Sequence, residues 1–380
     1  RLHASWGRDD VAELHFESAL KSRSEEKYAL RRSETLLEYA RLNARNGDVE
    51  GASKRIEQAI SLADAAGLEA VMVKALAARA SLAILDIDYT KALDAVESAI
   101  AAGASKASVR VLAALQLAKG EALIGLGHYA EAVNELQVSV KRFRSSWMAI
   151  DEAKATIALA TAHRRGGEYR PAVMAANAAI VSIERDRQRV MSPTSRAEYF
   201  SSLRQAYFER AAAEVGLGNV KQAWRIAQDS RSRTFNDQLA LEKSVLQSAD
   251  AVALRERLNA KANALQEASD GTAEHEALMN ELAAISRDWD DLLAEHMRES
   301  VYASEVHSVD PKDWVDRLGN NEAIVEFLLT DEEGLAFEVS KAGVSARPIA
   351  GNKQLNTLVN RVNESLLTGG RLDGIAARDL

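Results

Sequence analysis

The chain has 380 residues, of which 47% are hydrophobic, 27% charged and 5% aromatic, with four prolines. This composition is typical of a folded protein of two or three units, in which alanine and leucine favour close-packed helices. The formal net charge of −8 argues against a protein that mainly coats nucleic acid, and we expect no direct nucleic acid binding. Because the chain has no cysteine, it carries no disulfide, thiolate metal site or cysteine nucleophile. Its most apolar stretch, 70–87, contains Lys74 and Arg79 and is too polar to span a bilayer, and we expect a cytoplasmic protein.

A small residue recurs at a fixed interval through the first half of the chain. Alanine is found every 40 residues, at Ala12, Ala52, Ala92, Ala132 and Ala172. A second small residue follows each of them by seven positions, and a glycine precedes four of them by five positions. This spacing predicts pairs of antiparallel helices whose axes approach closely, with the glycine in a left-handed turn. The architecture predicted is therefore a mainly α, tetratricopeptide-type helical solenoid, with helices longer than in a repeat of about 34 residues.

The two ends of this repeat depart from the regular spacing. The first unit consists of its second helix alone, roughly 9–21, so we expect a truncated first repeat. A sixth unit around Gly218 and Ala223 is displaced by eleven extra residues, which we assign to 185–196. Ser192-Pro193 within that segment predicts that one helix stops and another begins.

A change of hydrophobic period divides the rest of the chain. Stretches 241–268 and 273–299 have helical periodicity, and an apolar seam that includes Leu278, Leu282 and Trp289 predicts an antiparallel hairpin. Segments 323–329, 335–340 and 345–349 are typical of strands, and 352–367 of an amphipathic helix. Three short strands and one helix bury little surface, so we expect the sheet to be the edge of a larger α/β domain.

The order of these elements resembles a known bacterial arrangement. Repeats run into the phrase Ser230-Arg-Ser-Arg-Thr-Phe-Asn-Asp-Gln-Leu, a helical hairpin follows, and then come Val301-Tyr-Ala-Ser, Asp313-Trp-Val-Asp-Arg-Leu and a hairpin that opens with Glu322-Ala-Ile-Val-Glu-Phe-Leu. This order resembles proteins that join tetratricopeptide repeats to a CHAT domain, a caspase-like peptidase related to separase. The resemblance implies a solenoid at 1–240, a helical hairpin connector at 241–300 and the N-terminal portion of a CHAT-like α/β domain at 301–380.

The resemblance also implies a function for the full-length protein. Peptidases of this clan use a histidine–cysteine dyad, in which the histidine is the base and the thiolate attacks the scissile carbonyl. Both residues belong to a later part of that domain, so we expect them beyond this chain and assign no catalytic residue here. The implied role is a regulatory repeat region of a cysteine protease in bacterial defence or signalling, with an activator or substrate such as a CRISPR effector or a gasdermin-like protein.

Four arginines are candidate partner-binding residues. Arg41, Arg45, Arg164 and Arg165 lie at first-helix positions, which line the groove of this repeat class and could hold acidic groups of a peptide. Solvated charge on a helix face is the competing interpretation. The seven histidines form neither an i, i+4 pair nor an HExxH motif, and we predict no metal and no cofactor.

Two other functions fit the same pattern. The first is a non-enzymatic scaffold or adaptor that uses the repeat groove to bind protein partners. The second is a transcription-regulating repeat sensor, for which we would expect a DNA-binding helix-turn-helix elsewhere in the gene.

Overall fold

The computed structural model describes residues 9–22, 28–103, 107–186, 193–231, 249–267 and 315–367, with isolated positions between 272 and 288. These residues are mainly helical, with a small antiparallel sheet near the C-terminal end. In chain order the elements are α1 (Asp9–Ser22), α2 (Ala29–Arg45), α3 (Val49–Ala65), α4 (Glu69–Leu85), α5 (Tyr89–Ala101), α6 (Val109–Gly125), α7 (Tyr129–Ser145), α8 (Ala149–Arg165), α9 (Tyr169–Asp186), α10 (Pro193–Gly216), α11 (220–231), α12 (Ala249–Glu267), β1 (Ala323–Leu329), β2 (Glu333–Ser340), β3 (Gly343–Ala350) and α13 (Asn352–Leu367).

The 40-residue interval corresponds to two helical units of 20 residues. Helices α2 to α9 begin 20 residues apart, at positions 29, 49, 69, 89, 109, 129, 149 and 169. Six of them have 17 residues, and three residues link each of these six to the next helix. The spacing changes at α10, which has 24 residues and begins four residues later than the interval predicts. The later start and the extra length together account for the eleven added residues, and the predicted restart at Pro193 is confirmed.

The predicted left-handed turns are present between the helices. Gly47, Gly127, Gly167 and Gly218 have φ angles of 79°, 82°, 79° and 80°. At Gly47 the backbone N–H of Asp48 donates to the carbonyl of Asn43 at 2.9 Å, which closes the C-terminus of α2 in a Schellman motif. The equivalent turn after α4 has Ile87 at φ 60°, and the turn after α7 has Trp147 at φ 57°.

The recurring small residues lie where helices touch. Ala52, Ala92, Ala132 and Ala172 have no exposed surface, and Ala12 is 2% exposed. Consecutive helices pack on one another from α1 to α10, and contacts also join α2 to α4, α4 to α6, α6 to α8 and α8 to α10. These alternate helices therefore form one layer, and the helices between them pack against that layer. A small side chain at each crossing allows this close approach.

Repeated glycines make room for the tyrosines that open the second helix of a pair. A Cβ on Gly125 would lie 2.4 Å from the ring of Tyr89, and one on Gly216 would lie 2.4 Å from the ring of Tyr169. Tyr89 therefore contacts the C-terminal end of α6, and Tyr169 contacts the C-terminal end of α10. The recurring small residues predicted close packing of the helices, but not these contacts between glycine and tyrosine.

The three strands form a meander in the order β1-β2-β3, antiparallel throughout. Strand β1 matches its predicted range, while β2 and β3 each begin two residues earlier than predicted. Helix α13 has the predicted bounds. In the connector, α12 lies within the predicted first helix, and Leu265, Leu278 and Leu282 form a small buried cluster, as the seam predicted. Trp289, Asp270-Gly271 and the segment 289–314 lie outside the described residues.

Candidate functional site

One face of the sheet shares a hydrophobic core with the last helices of the array. Phe337 and Val339 of β2 are fully buried, and Leu335 and Leu328 are 3% and 4% exposed. They belong to one cluster with side chains of α8 to α11. The helical members of this cluster are Ala153, Ile157, Ala179, Ile180, Ile183, Leu203, Ala206, Tyr207, Phe208, Ala211, Ala223, Trp224, Ile226 and Ala227. Burial of each large apolar side chain contributes about 1.5–3 kcal/mol, so the sheet is packed firmly on these helices.

A carboxylate on the inner face of β1 is surrounded by donors from α11. Glu326 accepts a hydrogen bond from the indole Nε1 of Trp224 at 2.5 Å, and Gln228 donates to the same carboxylate. Arg231 forms an ion pair with Glu326 at 2.9 Å. Arg231 also donates to the backbone carbonyl of Phe327 at 3.1 Å. Three donors around one half-buried charge offset its desolvation, so this cluster orients β1 on α11.

A second polar cluster joins α8, α10 and the start of β2. Arg164 donates through Nε to Glu209 at 2.7 Å and also pairs with Glu333, whose other oxygen lies 3.2 Å from Arg165. Gln205 donates to Glu209 at 3.1 Å, and the guanidinium of Arg164 lies 5.5 Å from the centre of the Phe208 ring. The Glu209 side chain has no exposed surface and that of Arg164 is 14% exposed. A buried carboxylate of this kind is stable only with a close cation, which Arg164 supplies.

The charge state of Arg164 follows from these neighbours. Burial alone lowers the pKa of Arg164, but the carboxylates of Glu209 and Glu333 outweigh burial and raise it above its ordinary value. The guanidinium therefore stays charged, and this part of the junction is a fixed ion-pair network.

A small polar cavity of about 140 Å³ lies beside this network. It is bounded on one side by α8 and α10 and on the other by the turn between β1 and β2. Its lining includes Thr161, Arg165, Ser201, Arg204, Gln205, Glu209, Thr330, Asp331, Glu332 and Glu333. The lining combines two guanidinium groups with four carboxyl groups, so an anion would bind there in place of one of the resident carboxylates.

The four predicted arginines do not converge on one site. Arg41 on α2 is 57% exposed and pairs with Glu38 on the same helix, and Arg45 pairs with Asp9 of α1. Arg164 and Arg165 lie on α8, separated from α2 within the layer by α4 and α6. The prediction that these residues bind a partner remains untested. At α8, a partner carboxylate would meet arginines that already hold Glu209 and Glu333.

The sequence interpretation missed the acidic half of both clusters. For Glu326 a signal existed, because the period-2 pattern places it on the same strand face as Ile324 and Leu328. Glu209 follows Tyr207 and Phe208 in an otherwise ordinary helix, so no local signal marked it. Glu333 lies between the first two predicted strand segments, where no local pattern indicated an ion pair.

A further titratable group lies within the helical layer. Glu121 on α6 is half-buried, and burial raises its pKa to about 7, although the charge of Lys154 on α8 lowers it. A glutamate with this pKa changes charge near neutral pH, so the contact between α6 and α8 depends on pH.

Comparison with known proteins gives no family assignment. No protein-family model matches the chain, and no curated protein shows significant similarity to it. Among the described residues, no helix has the length and apolar character needed to cross a bilayer. The same residues contain no group of three or more histidine and acidic side chains arranged to hold a metal ion.

Proposed function

We propose that this chain is the partner-binding repeat region of a caspase-like cysteine protease, joined to the first strands of its CHAT-like catalytic domain. In this proposal the helices form a tetratricopeptide-type solenoid, and the catalytic histidine and cysteine lie beyond this chain. The 20-residue helical units, the left-handed glycine turns and the buried alanines support the solenoid.

The observation that carries the proposal is the shared core between the sheet and α8 to α11. A sheet attached only by a linker would move independently of the helices, and partner binding would then leave its position unchanged. Here the strands and the last repeat share buried apolar side chains and two ion-pair clusters. A protein that binds the helical layer and shifts α8 or α10 would therefore also shift β1 and β2. This coupling gives a physical route from partner binding to a catalytic domain.

The proposal predicts a reading frame that continues with a strand ending in a histidine and a later strand ending in a cysteine. The protein from the complete reading frame should then react with a cysteine-directed peptidase probe. A Cys→Ala variant should lose this labelling, and addition of the activator should increase it in the wild type only. A complete frame without this pair of residues would exclude the protease. Partner capture by such a protein would favour an adaptor instead.

A further inference from the structure

The arginines predicted to bind a partner's carboxylate already bind a carboxylate of this chain. We propose that the acidic turn 331–333 is a resident ligand of the arginine site on α8, and that an acidic segment of a partner protein binds there by displacing it. This inference rests on the proposed partner-binding function and names the chemistry of the partner and the contact that it must replace.

The cluster has three ion pairs, which differ in their access to solvent. Arg164 and Glu209 are 14% and 0% exposed in their side chains, so their pair is part of the core. Arg165 and Glu333 are 32% and 33% exposed, and their atoms lie 3.2 Å apart. A partly exposed ion pair contributes little net stability, since water and salt compete for it. Glu333 also pairs with Arg164, so a competing carboxylate has to displace it from both arginines. Arg164 then keeps its buried pair with Glu209, and Arg165 is the arginine left open to the competitor.

The cavity next to this pair provides both space and a second cation. Its volume of about 140 Å³ is open beside Arg165, and Arg204 of α10 lines it. Within the described residues Arg204 is exposed and takes part in no ion pair. Ser201 adds a hydroxyl to the same wall, whereas the Thr161 hydroxyl donates to the carbonyl of Ile157 at 3.1 Å. Guanidinium groups bind carboxylates in a planar, bidentate geometry, so an acidic side chain that takes the place of Glu333 in this cavity can pair with Arg165 or Arg204.

Displacement of Glu333 would be transmitted to the sheet. Glu333 is the first residue of β2, and its carbonyl accepts hydrogen bonds from the backbone N–H and the hydroxyl of Thr330 at 2.9 and 2.8 Å. The same turn is bonded to α13, because Lys353 pairs with Glu332 at 2.6 Å. A partner that takes the place of Glu333 would thus loosen the β1–β2 turn and the start of α13 together. The resident turn acts as an intramolecular competitor that keeps the site closed until an acidic partner is present.

The test compares two variants of the 380-residue chain that remove the same charge from the same turn. The probe is a fluorescein-labelled octaglutamate peptide, and binding is measured by fluorescence anisotropy. Glu333→Gln frees the arginine site and is expected to bind the peptide about tenfold more tightly than the wild type. Glu332→Gln is the control, because Glu332 pairs with Lys353 and not with an arginine. It should stay within about twofold of the wild type, which is the size of a non-specific charge effect.

Two further measurements decide whether displacement takes place. Addition of Arg165→Gln to Glu333→Gln should remove the gain in affinity. In the wild type, saturating peptide should accelerate amide hydrogen exchange in β1 and β2 and leave α2 to α5 unchanged, a result that does not depend on any variant folding. Equal affinities of the two single variants, a gain that persists without Arg165, or unchanged exchange in the sheet would each overturn the inference. Such a failure would leave the protease proposal intact, since that proposal is decided by the reading frame and by cysteine labelling.

Discussion

The helices α2 to α7 and the junction between α8–α11 and the sheet are stabilised in different ways. In the first region the contacts join helices that are adjacent or next but one in sequence, and the buried residues at the crossings are small. At the junction, large aromatic side chains and buried charges join residues 102 and 169 positions apart, as in Trp224 with Glu326 and Arg164 with Glu333. The same kind of contact recurs from helix to helix along the array, whereas the contacts at the junction do not recur. The difference indicates that the last helices make a specific contact with the sheet.

The largest effect is expected from a substitution of Arg164, which joins α8 to α10 and to β2 at the junction. Arg164→Ala leaves the fully buried Glu209 without its cation, and we expect the free energy of unfolding to fall by about 3–5 kcal/mol. Urea-induced unfolding monitored by circular dichroism measures this loss. Arg41→Ala is the matched control, because Arg41 is largely exposed, and it should change stability by less than about 0.5 kcal/mol. Equal effects of the two variants would mean that the Arg164 network is not buried as described.

The second prediction concerns pH and the contact between α6 and α8. The pKa of Glu121 is raised by burial to about 7 in the folded protein, above its unfolded value, so the folded state binds more protons between those two values. Stability from this group is therefore present at low pH and is lost as pH rises towards 7, by roughly 3 kcal/mol in all. Glu121→Gln should remove this loss and be more stable than the wild type at pH 8, with a smaller difference at pH 5. Glu50→Gln, at an exposed position of α3, should leave the pH dependence unchanged.

In the regular array, Gly125 makes room for the ring of Tyr89. Gly125→Ala places a Cβ against the ring of Tyr89, and we expect a loss of about 1–3 kcal/mol. In the background of Tyr89→Ala the same change should be neutral or stabilising, because alanine favours a helix over glycine by about 1 kcal/mol. Thermal unfolding of the four proteins gives the coupling. A loss that is the same in both backgrounds would show that Tyr89 does not occupy the space left by Gly125.

The smallest effect is expected at a turn of the array. Trp147 has a left-handed backbone and a side chain that is 94% exposed, so it pays the steric cost of this conformation and gains little packing. Trp147→Gly is expected to raise the free energy of unfolding by less than about 1 kcal/mol, since relief of strain exceeds the added entropy of the unfolded chain. Gly127→Ala at an equivalent turn should lower stability by a similar amount. A destabilised Trp147→Gly variant would contradict this interpretation of the turn.

The same contrast explains what the sequence predicted. The 40-residue interval, the glycine turns at 47, 127, 167 and 218, and the strand segments follow from patterns within a few residues, and the structure has them. The ion-pair clusters depend on residues that meet only after the chain has folded, so no local pattern links Arg164 to Glu333. The arginines were recognised because their helix position repeats, but their partners on α10 and β2 lie outside any repeat. The alternating pattern of β1 predicted only one feature of these clusters, namely the inward position of Glu326.

The central claim is that the sheet and the last helices form one packed unit. A double-mutant cycle between Trp224→Phe and Glu326→Gln tests it most directly, because the two residues are 102 positions apart and meet only at the junction. The free energies of unfolding of the wild type, both single variants and the double variant are measured by urea titration. We predict a coupling energy of about 1–3 kcal/mol, the value expected for a hydrogen bond to a charged group. A coupling below about 0.3 kcal/mol would contradict the claim, because the two residues would then not be in contact.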